Sequence, residues 1–144
     1  MSKANDVADA IKTGVTALAL TGVTVSRSKL PELPPGVSPP EAVVTVGEEG
    51  DTIYLDFEGN VIVRYPCAVT LITAGGQVAQ DDATFRDWRE SIRKKVDDST
   101  IYSTVTGFHR VLSSGRAPFD RSALSKDFNF GIQVFTVEVL ETRT

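Results

Sequence analysis

Residues 61–73 read VIVRYPCAVTLIT and residues 82–96 read DATFRDWRESIRKKV, and these two runs decide the fold. The first run is rich in β-branched and aromatic residues, which predicts one long strand. Proline donates no backbone hydrogen bond, so Pro66 predicts an interruption of that strand, at a bulge or at a sheet edge.

The second run predicts a helix over residues 82–96. Apolar side chains recur every three or four residues and form one stripe, which consists of Phe85, Trp88, Ile92 and Val96. Acids open the helix and bases close it, which suits the helix dipole. The central unit of the chain is therefore a strand followed by an amphipathic helix.

The flanking sequence adds another helix and further strands. An apolar stripe of Val7, Ile11, Val15 and Leu18 predicts a helix over residues 5–20. Further strands are predicted at residues 23–27, 42–46, 52–57, 101–106 and 128–141. In the last strand the apolar residues change parity after Val134, which indicates a bulge or a strand covered on both faces. We expect one α+β domain over residues 1–144, with a mainly antiparallel sheet and two principal helices on one face.

Two polar stretches predict extended arms that bind a partner. Residues 31–40 hold five of the seven prolines, so this proline-rich arm is expected to be extended and irregular, either as a surface loop or as an arm that contacts a partner. Residues 107–126 are predicted to form a long polar loop with a basic bias, for which a flexible solvated loop is the alternative. The candidate partner-binding residues of the two arms are Leu33, Pro34, Pro35, Val37, Arg110, Arg116 and Arg121.

A third candidate is the acidic group of Glu48, Glu49 and Asp51. These residues lack the alternating oxygen ligands of an EF-hand loop, so a solvated hairpin tip is favoured over a calcium site. The same acids are the third candidate group for contacts with a partner.

The chain carries none of the residue constellations that indicate catalysis or a bound metal. His109 is the only histidine and Cys67 the only cysteine, which are too few ligands for a structural zinc site. Phosphate-binding and nucleophile-elbow motifs are absent from the sequence. We therefore expect no enzyme activity, catalytic residue, cofactor or metal. The alternative from another class is a small ligand-binding or enzymatic α+β domain that uses an acid such as Asp56.

Charge and cysteine content narrow the class of protein further. The formal net charge of -4 argues against a general nucleic-acid binder, which would usually be basic. A lone cysteine fits a reducing cytosol better than an oxidising compartment. The first predicted helix mixes Asp9, Lys12 and Thr13 with apolar residues, so we expect neither a signal peptide nor a membrane span.

Residues 65–76 read YPCAVTLITAGG and residues 85–95 read FRDWRESIRKK. A Tyr-Pro apolar strand, a polar break and then a Trp-Arg-Glu-x-Ile-Arg helix resembles the tail-terminator and tail-completion proteins, which join head to tail in long-tailed bacteriophages and prophages. The order of the other elements is also similar to that family, from the leading helix and proline-bearing arm to a final strand at residues 130–139. The likeness of specific residues is confined to residues 65–95.

The resemblance implies a structural virion protein, a tail terminator, that forms a hexameric ring on the last ring of the tail tube. Its partners would be its own copies, the tail tube protein and the neck or connector protein, without a membrane. Such a protein is assembled in the host bacterial cytoplasm and stays in the virion tail or neck. Whether the lumen of the ring contacts DNA is left open. The alternative within the same virus is a head-side neck adaptor or stopper protein.

Overall fold

Two strands of fifteen residues each form the centre of the protein. The computed structural model describes residues 3–28, 36, 39–47, 52–54, 60–74, 82–116 and 128–142. In chain order the elements are α1 (Lys3–Ala17), β1 (Thr24–Arg27), β2 (Glu41–Val46), β3 (Thr52–Tyr54), β4 (Asn60–Ala74), α2 (Asp82–Val96), a 3₁₀ helix (Ser99–Tyr102), β5 (Phe108–Arg116) and β6 (Phe128–Thr142). The central strands β4 and β6 pair along their whole length, from Asn60 opposite Thr142 to Ala74 opposite Phe128.

The strands form one sheet in the order β1-β2-β4-β6-β5, and β3 pairs with β4 beyond the end of β2. Neighbouring strands are antiparallel except β1 and β2, which are parallel. The predicted α+β fold with a mainly antiparallel sheet is therefore confirmed. The parallel pair at one edge is a feature that the sequence pattern did not predict.

Both long helices pack on one face of the sheet, and their predicted apolar stripes form the core. The buried stripe residues are Val7, Ile11 and Val15 on α1 and Phe85, Trp88, Ile92 and Val96 on α2. They share one hydrophobic core with alternate residues of the central strands, and α1 lies over β1 and β2 whereas α2 lies over β6. The core residues of the central strands are Val61, Val63, Tyr65, Cys67, Val69 and Leu71 on β4 and Phe135, Val137 and Val139 on β6. Full burial of one such side chain stabilises the fold by about 1.5–3 kcal/mol, so these stripes hold the helices on the sheet.

A 3₁₀ helix, Ser99–Tyr102, takes the place of the strand predicted at residues 101–106. The side chain of Asp98 caps its first turn. The ring of Tyr102 is fully buried, and its hydroxyl donates a hydrogen bond to the carbonyl oxygen of Val96 at 2.7 Å. The apolar residues of this segment therefore anchor a turn to the core instead of alternating across a strand.

The strand β4 continues through Pro66 in register with β6, where Pro66 lies opposite Thr136. The predicted interruption of β4 was wrong, because the neighbouring strand is interrupted instead. On the side of β4 that faces away from β6, β2 pairs with residues 67–72 and β3 pairs with residues 61–63. Among the described residues, no strand pairs with residues 64–66 on that side. The carbonyl oxygen of Pro66 accepts a hydrogen bond from the N–H of Gly47 at 2.9 Å, so the side of Pro66 that lacks an N–H faces this gap.

Residues 108–116, predicted as part of a polar loop, form the edge strand β5. This strand pairs antiparallel with β6, with shifts of register between Phe108 and Arg110 and between Ser113 and Arg116. The prediction of a loop over residues 107–126 was therefore wrong for β5, because pairing with β6 outweighs the low strand propensity of this sequence. Residues 117–126 lie outside the described residues.

The change of apolar parity in β6 reflects two differently used faces of the sheet, and its register with β4 is unbroken. Phe135 and Val137 point to the helices and are fully buried. Val134 and Leu140 lie on the opposite face, where they are 42% and 43% exposed. The face opposite to the helices is thus partly apolar and partly open to solvent.

Candidate interaction surface

The sheet face opposite to α1 and α2 is the most unusual surface in the described part of the chain. No described helix packs on it, because both helices occupy the other face. Its solvent-facing region is formed by alternate residues of β4, β5 and β6, which we call the open face: Arg64, Pro66, Ala68, Arg110, Leu112, Val134, Thr136, Glu138 and Leu140. A sheet face of this kind is a natural contact surface for another protein.

The centre of the open face is a row of three charged residues. Glu138 of β6 lies directly opposite Arg64 of β4 on one side and Arg110 of β5 on the other. One carboxylate oxygen of Glu138 accepts a hydrogen bond from Nε of Arg64 at 2.7 Å, and the other accepts one from Nε of Arg110 at 2.5 Å. Strand register alone therefore brings together three residues that are distant in sequence.

The carboxylate of Glu138 is buried, whereas its two arginine partners stay in contact with water. The side chain of Glu138 has no exposed surface, whereas those of Arg64 and Arg110 are 32% and 56% exposed. Burial opposes ionisation of Glu138, but its hydrogen bonds and charge interactions with Arg110 and Arg64 outweigh burial and lower its pKa below the ordinary value. The carboxylate is therefore ionised at neutral pH, and the three residues carry a net charge of about +1.

Apolar side chains flank this charged row on both sides. On β6, Leu140 lies on one side of the charged row, two residues after Glu138. Val134 lies on the other side of the row, four residues before Glu138, with Thr136 between them. Pro66 is exposed and Leu112 is half-buried on the neighbouring strands. A partner that covers the open face would therefore bury apolar surface on both sides of a positively charged centre, and it would have to offer acidic or other hydrogen-bond-accepting groups to that centre.

The predicted partner-binding residues fall into two groups in the structure. Arg110 and Arg116 lie on β5. The others lie outside the described residues, and they are Leu33, Pro34, Pro35, Val37, Glu48, Glu49, Asp51 and Arg121. The structure thus joins Arg110 to a charged row, whereas the remaining predicted contacts of the two arms stay predictions.

The strands on either side of the acidic group do not form a hairpin with each other. Both β2 and β3 are antiparallel to β4 and pair with the same side of it, one after the other. The chain between them crosses from Val46, opposite Cys67, to Thr52, opposite Val63. The acids Glu48, Glu49 and Asp51 therefore belong to an insertion between two collinear strands, so the predicted hairpin between these strands was wrong.

Sequence reasoning misses Arg64 and Glu138 as members of the site. A signal is present, because each is a single charged residue inside an apolar run, VIVRY for Arg64 and VEV for Glu138. A charge in a strand that is expected to be buried requires a partner of opposite charge. The register that makes these two residues neighbours depends on pairing between distant strands, which periodicity does not reveal.

The thiol of Cys67 is inert, as its apolar surroundings in the sequence predict. Burial raises the pKa of Cys67 to about 12, against the opposing effect of a backbone hydrogen bond with Val137. A thiol with this pKa is protonated at neutral pH and is not a nucleophile. Among the described residues, no three histidine, cysteine or acidic side chains converge as metal ligands.

Two open cavities border α1 on the helical side. One of about 350 Å³ is lined by α1, the 3₁₀ helix and the end of α2, and its polar lining includes Thr13, Lys95 and Ser103. The other, of about 300 Å³, lies beside β1 and is mostly apolar, with Val15 and Val23 among its lining residues. These cavities are where a small ligand would be sought, and neither includes a residue of the open face.

In the described part of the chain, no helix is long and apolar enough to cross a membrane. Comparison with models of known protein families and with curated protein sequences finds no match to this chain.

Proposed function

We propose that the protein is a structural assembly protein, the tail terminator of a long-tailed bacteriophage, which closes into a ring of identical subunits. The ring caps the end of the tail tube and joins it to the neck or head connector. The resemblance over residues 65–95 supports this assignment. The observation that carries the assembly role is the open face, where Val134 and Leu140 are exposed on either side of the charged row.

Exposed apolar side chains are unfavourable in water and become favourable when a partner buries them. The side chains of Val134 and Leu140 are more than two-fifths exposed. Burial of their apolar surface against a partner would stabilise the complex by about 25 cal/mol per Å². The arginines between them give such a contact a polar centre, which fixes its orientation. A surface of this kind on a small structural domain fits a partner that stays bound.

A ring follows when one surface of a subunit binds a different surface of the next and the rotation closes. In the proposed ring, six copies of the chain leave an axial channel, one end of the ring binds the tail tube protein, and the other binds the connector. The protein would be assembled in the host cytoplasm and remain in the virion, between tail and neck.

The test is electron microscopy of the purified protein, alone and mixed with isolated tail tubes. We expect rings with a central hole, or caps on tube ends. Single particles that stay monomeric at high concentration and leave tube ends uncapped would overturn the proposal. Co-purification with tails that lack heads is expected, whereas co-purification only with heads that lack tails would identify a head-side adaptor instead.

A matched pair of variants connects this test to the open face. Leu140→Asp places a charge among the exposed apolar residues and is expected to prevent ring or cap formation while the melting temperature stays close to that of the wild type. Ala83→Asp introduces the same charge at an exposed position in the first turn of α2, where an acid suits the helix dipole, and is expected to assemble normally. Normal assembly of Leu140→Asp would separate the open face from assembly.

A further inference from the structure

The apolar residues of the open face form two groups, one on each side of the charged row. On one side Leu140 of β6 lies opposite the buried Ile62 of β4. On the other side Val134 lies opposite Ala68, and Pro66 is exposed beside them. Among the described residues, the large apolar side chains that are exposed are Val134 and Leu140. Both therefore lie on this one face, with the charged row between them.

The charged row is suited to bind an acid. Arg64 and Arg110 each donate the Nε–H to Glu138, whereas the two terminal nitrogens of each guanidinium can donate to another acceptor. Glu138 fixes the position of both groups, and their side chains are 32% and 56% exposed. With a net charge of about +1, the row attracts a carboxylate and repels a cation. A partner residue that covers the row is therefore an aspartate or a glutamate.

The spacing along β6 sets the spacing that a partner has to match. A strand advances about 3.4 Å per residue, so Leu140 lies roughly 7 Å from Glu138 and Val134 lies roughly 14 Å from it on the other side. A helix advances about 1.5 Å per residue. On a helix that lies along β6, the acid would follow the first apolar contact by about one turn, and the second apolar contact would come roughly two and a half turns later.

A helix suits this surface because a sheet face offers side chains and no backbone hydrogen bonds. The strands β4 and β6 use their N–H and C=O groups in pairing along the sheet. A single segment on this face therefore has to satisfy its own backbone groups. An α-helix does so internally, as α1 and α2 do on the other face of the same sheet. The open face thus fits a further helix, supplied by a partner.

A second copy of this chain does not offer the matching surface in its described part. Two open faces laid together would place two positive rows against each other, which is unfavourable. The exposed sides of α1 and α2 carry polar residues such as Asp9, Lys12 and Asp87. Among the described residues, no large exposed apolar side chain lies on these helices. The helix is therefore expected from a different protein.

We propose that the open face is the docking site for an amphipathic helix of another protein, whose apolar stripe is interrupted by one acidic residue that binds Arg64 and Arg110. The inference rests on the proposed function, in which this partner is the protein that the ring caps or joins, and it states the chemistry by which that partner is recognised. Leu140→Asp is then expected to prevent capping of tail tubes and to leave the ring intact.

Three matched synthetic peptides test the docking site on the full chain. Each is an amphipathic helix of about 16 residues with leucine at the apolar contacts, and the position over the charged row is Glu, Gln or Lys. Circular dichroism confirms that the three peptides are equally helical. Fluorescence anisotropy measures their affinity, and amide NMR spectra of the protein show where they bind.

The protein variants separate the charge from the apolar contact. Arg110→Gln removes the charge and keeps a hydrogen-bond donor for Glu138, Arg110→Glu reverses the charge, and Leu140→Asp disrupts the apolar contact. The control is Lys12→Glu, which reverses an exposed charge on α1. Thermal melting confirms that each variant is folded, and Arg110→Gln carries the test if Arg110→Glu is unfolded.

We expect the Glu peptide to bind the wild type about tenfold or more tightly than the Lys peptide, with the Gln peptide between them. Its NMR shifts should map to the open face. Arg110→Gln and Leu140→Asp should each weaken the Glu peptide about fivefold or more, Lys12→Glu should not, and Arg110→Glu should favour the Lys peptide.

Three results would overturn the docking site while the ring itself stands. They are equal affinity for the Glu and Lys peptides or no binding, NMR shifts outside the open face, and loss of the ring in Leu140→Asp, which would make a second copy the occupant. Binding of the Glu peptide as expected by a protein that neither forms rings nor caps tubes would overturn the proposed function instead.

Discussion

Replacement of Glu138 by Gln removes one charge from the centre of the open face and leaves the side-chain shape almost unchanged. In the wild type the carboxylate accepts hydrogen bonds from Nε of Arg64 at 2.7 Å and from Nε of Arg110 at 2.5 Å. The amide of Gln has one acceptor oxygen and one NH₂ group. One arginine therefore keeps a neutral acceptor, and the other faces a donor instead of an acceptor.

Two known energies limit the loss from above, and the exposure of the arginines in the structure lowers it further. A hydrogen bond to a charged group contributes about 1.5–3 kcal/mol to stability. Breaking a deeply buried ion pair costs about 3–5 kcal/mol. Here the carboxylate is covered, but Arg64 and Arg110 are 32% and 56% exposed, so water replaces part of what they lose. We expect Glu138→Gln to lower the free energy of unfolding by about 1–3 kcal/mol at pH 7.

The pH dependence gives an independent signature of the same interaction. Despite the opposing effect of burial, Arg110 and Arg64 lower the pKa of Glu138 in the folded protein below its ordinary value of 4.5. The unfolded chain therefore takes up this proton first as the pH falls. The contribution of Glu138 is complete above the ordinary value and is lost as the pH falls through the folded-state pKa. Glu138→Gln should remove this part of the acid sensitivity.

The assay is urea unfolding of the wild type and the variant at several pH values between 3 and 7. The difference in unfolding free energy should be largest near pH 7 and shrink toward pH 3. The matched control is Glu90→Gln, which removes a carboxylate that pairs with Arg93 at 2.5 Å on the surface of α2 and should cost about 0.5 kcal/mol or less. Equal stability of Glu138→Gln and the wild type at pH 7, or an unchanged pH profile, would refute the reasoning.

Two further predictions concern the core and the backbone. Gly107→Ala should lower the free energy of unfolding by about 2 kcal/mol or more, because the residue has a φ of 85° and an added Cβ would overlap the carbonyl oxygen of Leu140. Gly22→Ala, with a φ of 75° and nothing within 4 Å, should cost about 1 kcal/mol, and equal losses in thermal melts would contradict the packing argument. The thiol of Cys67 should resist iodoacetamide at pH 8 in the native protein and react in guanidinium chloride, because burial raises its pKa to about 12; rapid labelling of the folded chain would count against its burial.

The elements that sequence reasoning predicts well are those whose signals are local. The helix α2 begins and ends where its apolar stripe and terminal charges predict, at Asp82 and Val96. Its stripe is buried, and so are three of the four stripe residues of α1. Periodicity, capping and dipole effects act within a few residues, so they can be read from one sequence. The start of α1 was also close, but its end was set three residues too late, because Ala19 leaves the helix with a φ of 50°.

The elements that it misses are those decided by distant partners. The strand β5 contains FHRVLSSGR, whose polar residues and glycine favour a loop, yet pairing with β6 makes it a strand. Pro66 predicted a break in its own strand, but the gap lies in the strand beside it. The charged row combines both difficulties, because Arg64 lies near a misplaced break and Arg110 lies in a stretch predicted as a loop.

Arg110 lies on a strand and not in the loop that the sequence predicts, and this difference changes how its charge can act. In a flexible basic loop, an arginine attracts any acidic surface and loses side-chain entropy when it binds. On the edge strand β5, backbone pairing fixes its position and Glu138 holds its Nε, so much of that ordering is complete before a partner arrives. The carboxylate of Glu138 is buried and also binds Arg64 in the folded chain. Loss of Glu138 should therefore lower the stability of the subunit and also weaken any contact that Arg110 makes with a partner, whereas Arg110→Ala with near-normal stability but no assembly would show that the arginine recognises a partner.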